Sequence, residues 1–149
     1  MTDPHGATAG TENVYLYGIG LISGTFTSTY YGYRSGRTRG TTVQFRQYFT
    51  DGHGDVTALA NENGYICQSY SYDAFGNLTS GSTAGANRFL YASEYYDTEL
   101  GTYYLRMRYY EPRTGVFLTE DPARDGLNWY SYCAANPVCY VDPWGTDAI

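Results

Sequence analysis

The chain is 149 residues long, the size of one domain, with 19 Tyr, 18 Gly, nine Arg, no Lys and a formal net charge of −6. That acidic balance excludes a general nucleic-acid binder, which needs a basic footprint to displace counterions, and no apolar run approaches the length of a membrane span. Tyr suits the pleated, half-buried surface of strands and Gly the turns between them, so the composition predicts a mainly β chain of many short strands.

The opening MTDPHGATAG has neither a positive n-region nor an apolar h-region and does not read as a signal peptide. Residues 1–13 are expected to form a disordered tail. Either the protein leaves the cell by another route or this is the end of a longer chain, and the cellular location stays open. Residues 14–119 are expected to form an antiparallel array of β-hairpins. Four turns there share a template: FTDGHGDV (49–56), YDAFGNL (72–78), YDTELGTYY (96–104) and YEPRTGVFL (110–118). An aromatic precedes an acid, Gly follows three or four residues later, and a strand-like run comes next. Asn63-Gly64 signals a further hairpin turn that needs positive φ. SGRTRGTT (35–42) and SGSTAGA (80–86) read as exposed loops. YYLRMRYY (103–110) reads as one alternating strand, with Tyr103, Leu105, Met107 and Tyr109 on an apolar face. Tyr104, Arg106, Arg108 and Tyr110 fall on the other face, where arginines are expected to stack on tyrosines of neighbouring strands.

No metal or cofactor site is expected. DGHGDVTALANE (51–62) imitates a calcium loop, but Val56 replaces the Gly at its sixth position and His53 suits a hard cation poorly. His5 and His53 have no Cys or His at zinc spacing. Cys133 and Cys139 can pair if a turn joins them; packing as small buried apolar residues is the alternative, for Cys67 as well.

Residues 120–149 carry two Asp-Pro dipeptides, Asp121-Pro122 and Asp142-Pro143, around a short aromatic excursion. Leu127, Tyr130 and Ala134 at helical spacing, with Asp125 as a cap and Asn136-Pro137 as a stop, predict a short helix over 127–135. That helix would rise about 13 Å, and the extended run Val138–Val141 would return about 13 Å, which allows Asp121 and Asp142 to meet. Two chemistries fit them. Each carboxylate can accept backbone hydrogen bonds in an Asx turn before a rigid Pro, or the two can share a proton as an aspartyl dyad. Arg113 and Arg124 are the candidates for a cation beside one of them. Asp3-Pro4 is a third such dipeptide, without that context.

YLYGIGLIS (15–23), YFTDGHGDVTALANENG (48–64), YSYDAFGNL (70–78), YASEYYDTELGTYYLRMRYYEPRTGVFLTEDP (91–122) and DGLNWYSYCAANPVCYVDPWG (125–145) resemble RHS/YD-repeat proteins, in particular the RHS repeat-associated core at the C-terminal end of the repeats. The resemblance implies a segment of a spiralling β-shell that encloses a toxic C-terminal domain, with residues 120–149 as a plug. It also implies that in many members an aspartyl autoprotease cuts just after the second Asp-Pro motif. Asp121 and Asp142 would be the pair here, with the cut near Thr146-Asp147. Toxin-complex C components and the extracellular teneurins are related. The chain departs from the pattern in three places: Arg124 stands where the first motif has Gly, Thr146 where the second has Leu, and only three residues follow Thr146.

About ten strands spaced about 4.8 Å apart span about 50 Å, whereas a cargo of about 100 residues has a girth of roughly 100 Å. One such sheet is wall, not cage. The expected function is therefore the structural module that closes an RHS-type shell beside a toxin domain. Its partners would be upstream repeats, or further copies joined through open sheet edges. The alternatives are a live autoprotease, or an exported adhesion module that stacks sugars on Tyr104 and Tyr110.

Overall fold

The computed structural model describes residues 13–18, 20–32, 38–85, 87–124 and 126–149, with side chains from Arg46 onward. The fold is mainly β, and every strand pairing described is antiparallel. Strands β1 (Asn13–Gly18), β2 (Gly20–Gly32), β3 (Thr38–Thr50), β4 (Val56–Ala60) and β5 (Ile66–Ser69) form one sheet in chain order. β6 (Ser71–Tyr72) and β7 (Leu78–Ser80) make a small hairpin. β8 (Tyr95–Asp97), β9 (Thr102–Leu105), β10 (Arg108–Glu111) and β11 (Val116–Phe117) form a second sheet in the order β11-β10-β9-β8.

The shared turn template has a single physical basis. In three of the four turns the acid side chain, and Asn61 in the β4–β5 turn, accepts the backbone N–H groups that the reversal leaves over; in the fourth the Glu111 carboxylate takes the Arg113 guanidinium and the Thr114 hydroxyl instead. Asp51 takes the amides of His53 and Asp55, and Asp73 those of Phe75 and Asn77. Asp97 takes Glu99 and Leu100, and Asn61 takes Asn63 and Tyr65. The trailing Gly supplies the left-handed backbone. Gly76, at φ +87°, also has the Tyr91 ring 2.7 Å from where a Cβ would stand, so no side chain fits there.

One core joins the sheets, and it is built largely of tyrosine: Tyr48, Tyr70, Tyr91, Tyr103, Tyr110 and Tyr132 pack with Val56, Leu59, Leu90, Leu105 and Phe117. A buried phenol needs a partner for its hydroxyl, and here the partners are turn carbonyls. Tyr91, Tyr110 and Tyr103 donate to the carbonyls of Ala74, Phe75 and Gly76 at 3.0, 2.7 and 2.9 Å. Tyr72 donates to Val56 at 2.8 Å. Burial holds the hydroxyls of Tyr72, Tyr91, Tyr103, Tyr110 and Tyr132 far above the ordinary phenol range, so all five stay protonated donors.

Three sequence expectations need correction. Residues 103–110 are two strands: Leu105 pairs with Arg108 across a two-residue turn at Arg106-Met107, with Arg106 left-handed at φ +60°. The turn resets the alternation. Tyr103, Leu105, Arg108 and Tyr110 are buried, while Tyr104, Met107 and Tyr109 are exposed, so Tyr110 belongs to no sugar-stacking face. The helix over 127–135 is absent. Leu127 lies fully in solvent, Ser131 bridges to Val116, and only Cys133–Ala135 form a single 3-10 turn, all three with positive φ. Finally, Thr38–Thr42 are strand rather than loop, because their backbone pairs with Ser28–Gly32. Residues 1–12 and 33–37 lie outside the described residues, as does Asp125, the expected helix cap.

If the tyrosine hydroxyls support the 73–77 turn, Tyr103→Phe should lower stability by about 1–3 kcal/mol by orphaning the buried Gly76 carbonyl. Tyr104→Phe, on the exposed side of the same strand, should change it by less than about 0.5 kcal/mol. Chemical denaturation of the two variants checks the contrast.

Candidate functional site

Asp121 forms an Asx turn, and Asp142 closes a wider reversal by accepting an amide four residues on. Asp121 Oδ1 accepts the Ala123 amide at 2.8 Å, and Asp142 Oδ1 accepts the Thr146 amide at 3.0 Å. The Asp121 amide donates to the Trp129 carbonyl at 2.9 Å. The structure also brings the two turns to one place: both carboxylates, 7 % and 2 % exposed, line a cavity of about 380 Å³. Arg108, Trp129, Cys133 and residues 146–148 share its wall.

Arg108 lies on the buried face of β10, opposite to the face that strand alternation assigns it. It is 3 % exposed, and its guanidinium lies over the Phe117 ring at 3.6 Å. Its Nη2 is 3.9 Å from Asp142 Oδ2, and its Nη1 donates to the Trp129 carbonyl at 2.9 Å. Burial pulls its pKa below the usual guanidinium value, against the fields of Asp121, Asp142 and Asp147; a guanidinium still stays charged. A buried cation paired with the Asp142 carboxylate, in a cavity that Asp121 also lines, compensates charge that would otherwise be costly. Arg113 and Arg124 pair instead with Glu111 and Glu120 on the surface. Arginine stacking occurs as expected, but on other rings: Arg106 over Trp144 and Arg124 over Trp129.

The β9–β10 turn also grips the second Asp-Pro motif by its backbone. Arg106 Nη1 donates to the Pro143 carbonyl, the Met107 amide to Trp144 at 3.2 Å, and Arg108 Nε to Gly145. Arg108 Nη2 reaches the Thr146 carbonyl at 3.5 Å. Gly145 can approach so closely only without a side chain. A Cβ there would meet the Leu105 carbonyl at 2.6 Å, and its φ is +69°.

Other candidates carry less chemistry. Cys67, Cys133 and Cys139 are all free thiols. Burial pushes the Cys133 thiol up to about 12, which makes it inert as a nucleophile beside the cavity. Trp129 Nε1 is buried without a hydrogen-bond partner in the same wall. Among the described residues no group of His, Cys, Asp and Glu could hold a metal, and no helix is long and apolar enough to cross a membrane.

Comparison with known proteins matches the RHS repeat family model at residues 51–88. The tRNA3(Ser)-specific nuclease WapA of Bacillus spizizenii is 43% identical over 122 residues, which cover 74% of this chain and 5% of WapA. Double-stranded DNA deaminase toxin A of Burkholderia cenocepacia is 34% identical over 105 residues, covering 66% of this chain and 7% of the toxin. The crystal structure of TcdB2-TccC3 superposes with a TM-score of 0.66 over 91% of this chain and 7% of that one, at 23% identity. The chain thus spans only a small part of each.

Two variants should move stability in opposite directions. Gly145→Ala should cost about 1–3 kcal/mol through the carbonyl contact and the left-handed backbone. Arg124→Gly should gain roughly 1 kcal/mol, because Arg124 sits left-handed at φ +52°. Removing the buried cation in Arg108→Met should cost about 3–5 kcal/mol, whereas exposed Arg113→Met should be nearly neutral. Denaturant titration reads all four.

Proposed function

We propose that this chain, which belongs to the RHS/YD-repeat family, is a wall and end segment of an RHS-type shell. Residues 14–119 supply wall hairpins, and residues 120–149 fold across the end beside a toxin domain. The observation that carries this reading is the backbone grip of Arg106, Met107 and Arg108 on residues 143–146. It lashes the terminal segment to the hairpin array at the level of the main chain. Relatives whose names give different activities, a tRNA nuclease and a DNA deaminase, share this small region, as a common housing for different cargoes would require. The open edges β1 and β5 suit pairing with upstream hairpins or another copy.

In this reading Asp121, Asp142 and Arg108 hold the end segment together. An aspartyl dyad works with one proton held directly between two carboxyls. Here the Arg108 guanidinium pairs with Asp142 and lines the same cavity as Asp121, and a backbone amide occupies one oxygen of each carboxylate. One observation favours the second reading, self-cleavage: residues 146–148 line the same cavity as both carboxylates. Water activated by one carboxylate would add to the Thr146 carbonyl carbon. The C–N bond to Asp147 would then break, with the proton delivered to the departing amine.

Intact mass separates the two readings. The chain carrying a tag after Ile149 is measured beside Asp121→Asn and Asp142→Asn, with circular dichroism on all three. The expected result is a folded wild type that keeps its tag. Loss of the tag from the wild type alone establishes cleavage by the pair.

A further inference from the structure

The first repeat turn holds a titratable group that neither reading uses. His53 lies in the turn of residues 51–55, with its side chain 19 % exposed. Its Nδ1 is 2.9 Å from Asp55 Oδ1, and its Nε2 is 3.4 Å from the carbonyl of Tyr140, 87 positions along the chain. Both partners are acceptors only. A neutral imidazole has one N–H and can serve one of them; the imidazolium has two and can serve both. The ring packs against Tyr91 at 5.2 Å, and the Tyr91 hydroxyl lies 3.3 Å from the Pro137 carbonyl. Asp55 is fixed from the other side by the Ala92 amide, which donates to Oδ1 at 2.7 Å.

We propose that His53 is a protonation-dependent latch that ties segment 137–140, and through it the stretch leading to the Asp142 turn, to the first repeat turn. The titratable groups around the ring are few. Asp51 and Asp55 come from its own loop, and the Asp51 carboxylate is engaged by the backbone amides of His53 and Asp55. Tyr91 comes from the 91–93 turn as a protonated phenol. The C-terminal segment offers the carbonyls of Pro137 and Tyr140. Burial opposes the charge most strongly, but Asp55 and these carbonyls outweigh it, and the His53 pKa is raised above the ordinary imidazole value. The latch therefore contributes fully below about pH 6.5, the unfolded value, and is lost as pH rises through the higher folded-state value. Val141 pairs with Ile149 and the Arg106–Arg108 grip holds residues 143–146, so release loosens residues 137–140 while the Asp142 turn stays attached.

NMR of the imidazole rings in the wild type tests the charge, with assignment by His53→Phe; His5 is the only other histidine. His53 should titrate above the ordinary imidazole value. Hydrogen exchange of the amides of residues 138–140, corrected for intrinsic rates, tests the latch between about pH 5.5 and about pH 8.5. Protection in the wild type should fall as pH rises. In His53→Phe it should be low and independent of pH. A His53 ring that titrates at or below the ordinary value, or the same pH-dependent protection in the variant, overturns the proposal.

Discussion

Three tyrosine hydroxyls converge on one turn, and the arrangement of the molecule follows from that convergence. The carbonyls of Ala74, Phe75 and Gly76 point inward from the 73–77 reversal, where helix or sheet would normally satisfy them. Tyr91, Tyr110 and Tyr103 supply the three donors from three different segments. Each phenol is held at a fixed distance from the same short loop, which fixes the 91–93 turn, β9 and β10 relative to one another. Apolar side chains could fill the same volume but would leave the carbonyls unpaired, a cost that packing alone does not return. A chain this small and this rich in turns has many inward-facing carbonyls, and tyrosine both fills space and satisfies them.

The aromatic contacts carry this order to the candidate site. Tyr91 meets Tyr103, Tyr103 stacks on Tyr110, and Tyr110 stacks on Tyr132 at 3.9 Å. Tyr110 and Tyr132 both meet Phe117 edge-on, and Phe117 supports the Arg108 guanidinium. β10 thus has one residue in the core, Tyr110, and one at the cavity, Arg108, two positions apart on the same face of the strand. The geometry at Asp142 and Gly145 is anchored to the turn at 73–77, though no residue of that turn lines the cavity.

The turns are legible in the sequence because their chemistry is local. An Asp with Gly three or four residues later encodes an Asx-type reversal at Asp51, Asp73 and Asp97. The role of Arg108 is not legible. Alternation assigns a face only while the strand continues, and nothing in YYLRMRYY announces a two-residue turn at Arg106-Met107, which takes a left-handed arginine in place of Gly or Asn. The helix over 127–135 fails for a related reason. Three residues at helical spacing are cheap to find, and they form a helix only where an apolar stripe is buried. Leu127 finds no such face. Asp121 and Asp142 reach one cavity without that helix, by a different route of the chain.

The grip on residues 143–146 also explains which departures from the family pattern the fold can absorb. Arg106, Met107 and Arg108 bind carbonyl oxygens, which every residue carries, so Thr146 in place of Leu leaves the hydrogen bonds unchanged. Only Gly145 is read as a residue, because the Leu105 carbonyl occupies the space of any side chain. Arg124 is the costlier departure, an L-residue in left-handed backbone where the family pattern has Gly. Its guanidinium lies over Trp129 and beside Glu120, contacts that glycine could not make and that offset part of the strain. A segment held mainly through its main chain, with Asp142 paired to a buried arginine, keeps its shape whether or not its carboxylates carry out any chemistry. That is why the structural role stands first and catalysis second.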